Sequence, residues 1–311
     1  MKKIFIVLIA LVFYSTSVVA VEKMKFKYNF HDNLPKKWVT EFKNIMNIVQ
    51  EEFPINENTN NIVKKAISWN EPYNIYLWLD TNKDPFPDFK MNGRKFIMNE
   101  SAIMGDGTKS WMQLKVHEYD IRNQKFYSYY VVVHEYFHIY QGALSKLLRG
   151  SLSNYNPKWL VEGGATVLGN IYTRQYYGKD MLKKEIQKQR ESWSIKKVTK
   201  EPHLYEKHKT SPKKKGFDRN YAGSSFMLLA FANELQKKNN ISEEEAFELV
   251  FREYWIQRSK QAFDNNYWRV AFKNTFEMSV EDFYKKLSKY KRKDFKKILP
   301  SKTLKIQDIF S

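Results

Sequence analysis

The sequence predicts an α+β fold in which a small N-terminal sheet and one buried helix precede a mainly helical C-terminal subdomain. Three features lead to that reading. Short, largely apolar segments between positions 74 and 117 are separated by turn residues. A run from Asn123 to Gly150 is apolar on nearly every face, and beyond it several segments carry helical spacing with start and stop signals. The expected organisation is a leader over residues 1–20, an N-terminal α/β subdomain over 21–150 and a helical C-terminal subdomain over 151–311.

Taken in order, "MKKIFIVLIALVFYSTSVVA" runs from two lysines through an apolar stretch to small residues ending at Ala20. That is the order of a secretory signal peptide cleaved after Ala20, and it predicts a secreted or periplasmic protein. Left uncleaved, the segment approaches spanning length and would anchor the chain in a membrane. Residues 38–53 set Trp38, Phe42, Ile45, Met46, Val49 and Phe53 at helical spacing between Pro35 and Pro54. "NIYLWLD", "RKFIMN" and "SWMQLKVH" read as short strands, the last two joined through the turn "MGDGTK".

The segment from Asn123 to Gly150 contains "YYVVV", which alone suits a strand, but its length without a turn signal before Gly142 predicts a buried helix. "KWLVEGGATVLGNIYTRQYYG" reads as a second helix and "NYAGSSFMLLAFANELQKK" as a third, across a Lys-rich connection from about 194 to 218. Ser242 with Glu245, and Ser279 with Asp282, mark the capped starts of two more.

The chain has no cysteine, which excludes disulfides and thiolate metal ligands, and core packing must hold the fold together, helped by a bound metal. A formal charge of +19 favours anionic partners such as an envelope surface. Lys, Asn, Ile, Phe and Tyr are spread evenly, however, and no nucleic-acid-binding motif is present, so no nucleic-acid partner is expected.

The chemistry concentrates in "VVVHEYFHIYQG". On a helix His134 and His138, four apart, lie on one face and can aim both imidazoles at one zinc ion. Glu135 emerges about 100° further round, where its carboxylate can reach a water on the metal without displacing a ligand. An upstream "HEY", His117 to Tyr119, lacks the second histidine. A catalytic zinc needs a third protein ligand and an open position. Glu162 in "NPKWLVEGGAT" is the candidate, because Gly163, Gly164 and Ala165 beside it allow two helices to approach closely.

With "HEYFH" followed by "WLVEGGA", the sequence resembles the gluzincin metallopeptidases of the peptidase-MA-like group, related to the thermolysin and aminopeptidase branches. The resemblance extends over roughly residues 70–290. It implies a zincin-like fold, Zn2+ held by His134, His138 and Glu162, Glu135 as general base, and Tyr221 at the start of "NYAGSSFMLLAFANEL" as an oxyanion donor. His203 and His208 are fallback contacts. Two positions depart from the pattern. Thr166 stands where an Asp often orients a ligand histidine, so that support must come from elsewhere. "SAIMGDG" lacks the Glu with which the aminopeptidase branch grips a substrate N-terminus, which weakens an exopeptidase reading.

The expected function is therefore a secreted zinc peptidase acting on a peptide or protein. The alternative is an inactive zincin-fold protein that binds the anionic cell envelope, and the intact Glu135 argues against it.

Overall fold

The computed structural model describes residues 23–56, 72–105, 110–123, 125–145, 152–182, 197–207, 219–261 and 267–311. The expected leader, residues 106–109 of the "MGDGTK" turn, Gly150, most of the Lys-rich connection and His208 lie outside them. The architecture is mixed, a small sheet covered by helices. No helix among the described residues is long and apolar enough to cross a membrane.

Strand β1 (Phe26–Phe30) leads into helix α1 (Lys36–Glu52), which returns the chain to β2 (Tyr73–Leu79). β1 and β2 pair in parallel, as a helical crossover requires. The apolar stripe of α1 is buried as its spacing predicts, with Phe42, Ile45, Met46 and Val49 fully inaccessible. Each such side chain contributes about 1.5–3 kcal/mol relative to exposure.

β6 (Ser110–Val116) joins the other edge of β2, also in parallel, and β5 (Ala102–Gly105) closes the sheet antiparallel to β6, in the order β1-β2-β6-β5. The sheet departs from the sequence reading in two places. The sequence reading named no strand over Phe26–Phe30, although its apolar and polar residues alternate at the strand period. Of "RKFIMN", only Arg94–Lys95 (β4) is extended, in a two-residue hairpin with β3 (Lys90–Met91), while Ala102–Gly105 takes the place beside β6. Phe96 and Met98 instead fill a small aromatic cluster with Trp78 and Trp111 on one face of the sheet.

A short helix α2 (Glu118–Arg122) precedes α3 (Tyr127–Ser145). α3 is buried along most of its length, which explains why its sequence has no polar face. After α4 (Leu152–Tyr155) comes α5 (Lys158–Tyr177), which is buried from Lys158 to Thr173 and stops at Gly178 in the left-handed conformation, φ 63°. α6 (Arg219–Asn239) packs along α5. A Cβ on Gly163 would lie 2.5 Å from the Ser224 carbonyl oxygen, so these two backbones meet only because residue 163 has no side chain.

Both capped starts form. Ser242 and Glu245 make a reciprocal capping box at α7 (Glu243–Glu248), and Ser279 accepts from the Asp282 amide at α10 (Val280–Leu287). α7 runs through a π-helical turn, Leu249–Glu253, into α8 (Tyr254–Ser259), followed by α9 (Tyr267–Phe276). The closing helix α11 (Ile306–Phe310) returns to the N-terminal region, where Phe310 stacks on Phe53 at 4.9 Å. One apolar cluster draws side chains from α1, the sheet and the C-terminal helices alike.

Candidate metal centre

His134 and His138 lie one turn apart on α3 and bring their Nε2 atoms to 3.1 Å. Glu162 enters from α5, its Oε2 standing 3.4 Å from each of those nitrogens. Four ligand bonds of about 2.0–2.2 Å in a tetrahedron place neighbouring donor atoms roughly 3.3–3.6 Å apart. The observed separations fall close to that range, so the three residues predicted as ligands do converge.

The surrounding hydrogen bonds determine which atoms face the common point. Gln141, fully buried, donates its amide to the Val161 carbonyl at 3.2 Å and thereby turns its own oxygen toward His138. His138 Nδ1 donates to that oxygen at 2.8 Å, which leaves Nε2 unprotonated and facing the common point. Tyr130, one turn before His134, places its hydroxyl 3.2 Å from His134 Nδ1. When that nitrogen donates to Tyr130, His134 also presents a bare Nε2.

Two nitrogen lone pairs and a carboxylate then face one another with no donor between them. Glu162 Oε2 is buried and accepts no hydrogen bond. Such a set is stable only around a cation, either a proton or a metal ion. The protonation tendencies agree with this. Burial opposes charge on both His138 and Glu162, but their attraction prevails, holding His138 up and Glu162 well below the usual carboxylate range. His134 shifts down, burial being the main cause. His134, His138 and Glu162 could thus hold a metal ion, and they form the one such group among the described residues.

Glu135 points from α3 into a cleft of about 490 Å³ that His134 and Tyr221 also line. Burial raises its carboxyl to about 7, and its Oε2 has no hydrogen-bond partner. Tyr221, on the first turns of α6, sets its ring edge-on to His134 at 5.8 Å, with Lys158 Nζ 5.8 Å above the same ring. His203 is exposed in the 3-10 turn Pro202–Tyr205 and does not line the cleft.

Thr166 is buried with an unpartnered hydroxyl and orients neither histidine. Gln141 and Tyr130 do so instead, and sequence reasoning missed both. A signal was present: Gln141 follows His138 by three and Tyr130 precedes His134 by four, so both fall on the face that carries the imidazoles.

No family model matches the chain, and no curated protein or solved structure matches it.

Proposed function

We propose that the protein is an exported, zinc-dependent peptidase of gluzincin type with a zincin-like fold. The observation that carries this reading is the convergence of three buried acceptor atoms from His134, His138 and Glu162 beside an unpaired carboxylate that opens onto a cleft. Two imidazoles and one carboxylate suit zinc better than magnesium or calcium, which favour all-oxygen sites. They also leave one coordination place for solvent or substrate.

When bound, zinc supplies the Lewis acidity that acidifies water and polarises a carbonyl. The chain's residues perform the remainder. Glu135 removes a proton from the attacking water as its oxygen bonds to the carbonyl carbon. As the carbon–nitrogen bond breaks, the same carboxyl returns that proton to the leaving amine. A carboxyl near 7 is suited to both halves of this transfer. Tyr221, beside His134, donates a hydrogen bond to the developing oxyanion, a type of contact worth about 2.7–4 kcal/mol where such donors are removed.

The test is metal analysis of the purified chain and of Glu135→Gln, followed by a chelator-sensitive assay on a mixed peptide pool. Glu135→Gln retains zinc and loses hydrolysis. Full activity in that variant removes the mechanism, and steeply salt-dependent binding to anionic envelope material without any cleavage replaces the peptidase with the binding protein. Export is tested separately, because mature protein from the envelope or medium is expected to begin at Val21.

A further inference from the structure

The cleft beside the metal centre carries the opposite charge balance to the chain around it. The protein has 53 basic residues against 34 acidic ones. Yet Glu100, Asp120 and Glu135 line the cleft against one lysine, Lys115, whose ammonium is engaged by the Asn99 carbonyl. His117, on the same wall, is held by Asp80, with Nδ1 2.8 Å from Oδ2, and His134 belongs to the candidate metal centre. The other oxygen of Asp80 accepts the Glu118 amide at 3.0 Å, so Asp80 is fully engaged.

Asp120 is different. It sits in α2, only 8% exposed, and lines the cleft, and its carboxylate makes no hydrogen bond or ion pair among the described residues. Its charged neighbours are His117, Lys125 and Asp80. Of these, Lys125 lies over the Tyr119 ring at 3.7 Å and His117 is paired with Asp80. Burial raises the Asp120 carboxyl, and those neighbours do not bring it back. A carboxylate on a largely buried residue at the wall of a cleft, only partly compensated by its neighbours, is stabilised further when a cation arrives from outside. Glu100, exposed on the same wall and without an ion pair among the described residues, extends the negative surface.

We propose that Asp120, with Glu100, forms a cation-binding subsite of this cleft that takes the side chain of a lysine or arginine in a peptide substrate. The inference rests on the peptidase reading for the word substrate, though not for the binding itself. The positive field of the whole chain repels such a peptide only at long range and is screened beyond about 8 Å in physiological salt. Within the cleft the nearby carboxylates dominate.

The experiment uses the metal-loaded full chain carrying Glu135→Gln, so that binding is read without hydrolysis. The probes are acetyl-Ala-Arg-Ala-amide and its neutral citrulline counterpart. The arginine peptide is expected to bind at least tenfold tighter, and adding Asp120→Asn removes the difference. Equal affinity, no binding of either peptide, or a preference that survives Asp120→Asn overturns the subsite. A third probe, Ala-Ala-Ala-amide, presents a free α-amino group. If it alone depends on Asp120, the assignment to a side chain is wrong. Failure of the peptidase reading looks different: the wild-type chain cleaves no peptide while the arginine preference and its dependence on Asp120 persist.

Discussion

Gln141 accepts the Nδ1 proton of His138 at 2.8 Å while its own amide is anchored on Val161, in the helix that carries Glu162. One side chain thus fixes the tautomer of His138 and ties together the two helices that carry the candidate ligands. Replacing it by Leu removes both functions. Metal affinity is expected to fall about 10–100-fold, as for other partners that orient ligands. A chelator-competition titration showing unchanged affinity would mean that the Gln141 contact is incidental.

Glu162→Gln removes the one anionic member of the candidate ligand group and leaves its shape. The variant is expected to purify without stoichiometric metal. In the wild type, metal at about 100 times its dissociation constant adds about 2.7 kcal/mol of stability. That increment should vanish in Glu162→Gln when denaturant midpoints are compared with and without zinc. A zinc-dependent midpoint that survives the substitution places the ion elsewhere.

Gly163 and Gly164 make contrasting predictions. A methyl on Gly163 meets the backbone of Ser224 at 2.5 Å, and backbone cannot step aside. A methyl on Gly164 meets the ends of two side chains, Gln141 at 3.2 Å and Phe137 at 3.3 Å. Gly163→Ala is therefore expected to cost about 1–3 kcal/mol or more, through separation of α5 from α6. Gly164→Ala costs less stability but shifts Gln141, and so weakens metal binding. Urea midpoints in the reverse order would contradict the packing described here.

The Asp80–His117 pair predicts an acid-side stability profile. Burial acts to raise the Asp80 carboxyl, but the Glu118 amide and His117 together hold it below its ordinary value of 3.8. A carboxyl lower in the folded than in the unfolded chain contributes stability that is present above the unfolded value and is lost as pH falls through the folded one. The wild type should therefore exceed Asp80→Asn in urea midpoint at pH 5, and the gap should close as the pH falls below 3.8. A gap independent of pH would show that the pair stabilises through shape alone.

Much of the candidate site was legible because it is local. His134, Glu135 and His138 occupy one helix, and the 3.6-residue period alone sets their relative directions. The buried stripe of α1 and the capped starts at Ser242 and Ser279 were readable for the same reason, since each depends on residues within a few turns. The sheet was harder. β1 owes its place to pairing with β2, and Phe96 and Met98 left the expected strand for an aromatic cluster. At Phe96 and Met98 contacts between distant segments overrode local pattern, whereas the alternation over Phe26–Phe30 was itself a strand signal.

The sequence by itself determined that two imidazoles and a carboxylate lie on adjoining faces of one apolar helix, because backbone geometry leaves those side chains no other arrangement. Only the tertiary structure decided that Glu162 completes the set, that Gln141 and Tyr130 orient it in place of Thr166, and that Asp120, unpaired among the described residues, lines the same cleft. Glu162, Gln141 and Asp120 take up those roles through the approach of elements far apart in the chain. How closely α3, α5 and α6 pack, set by glycines at their crossings, decides which side chains meet.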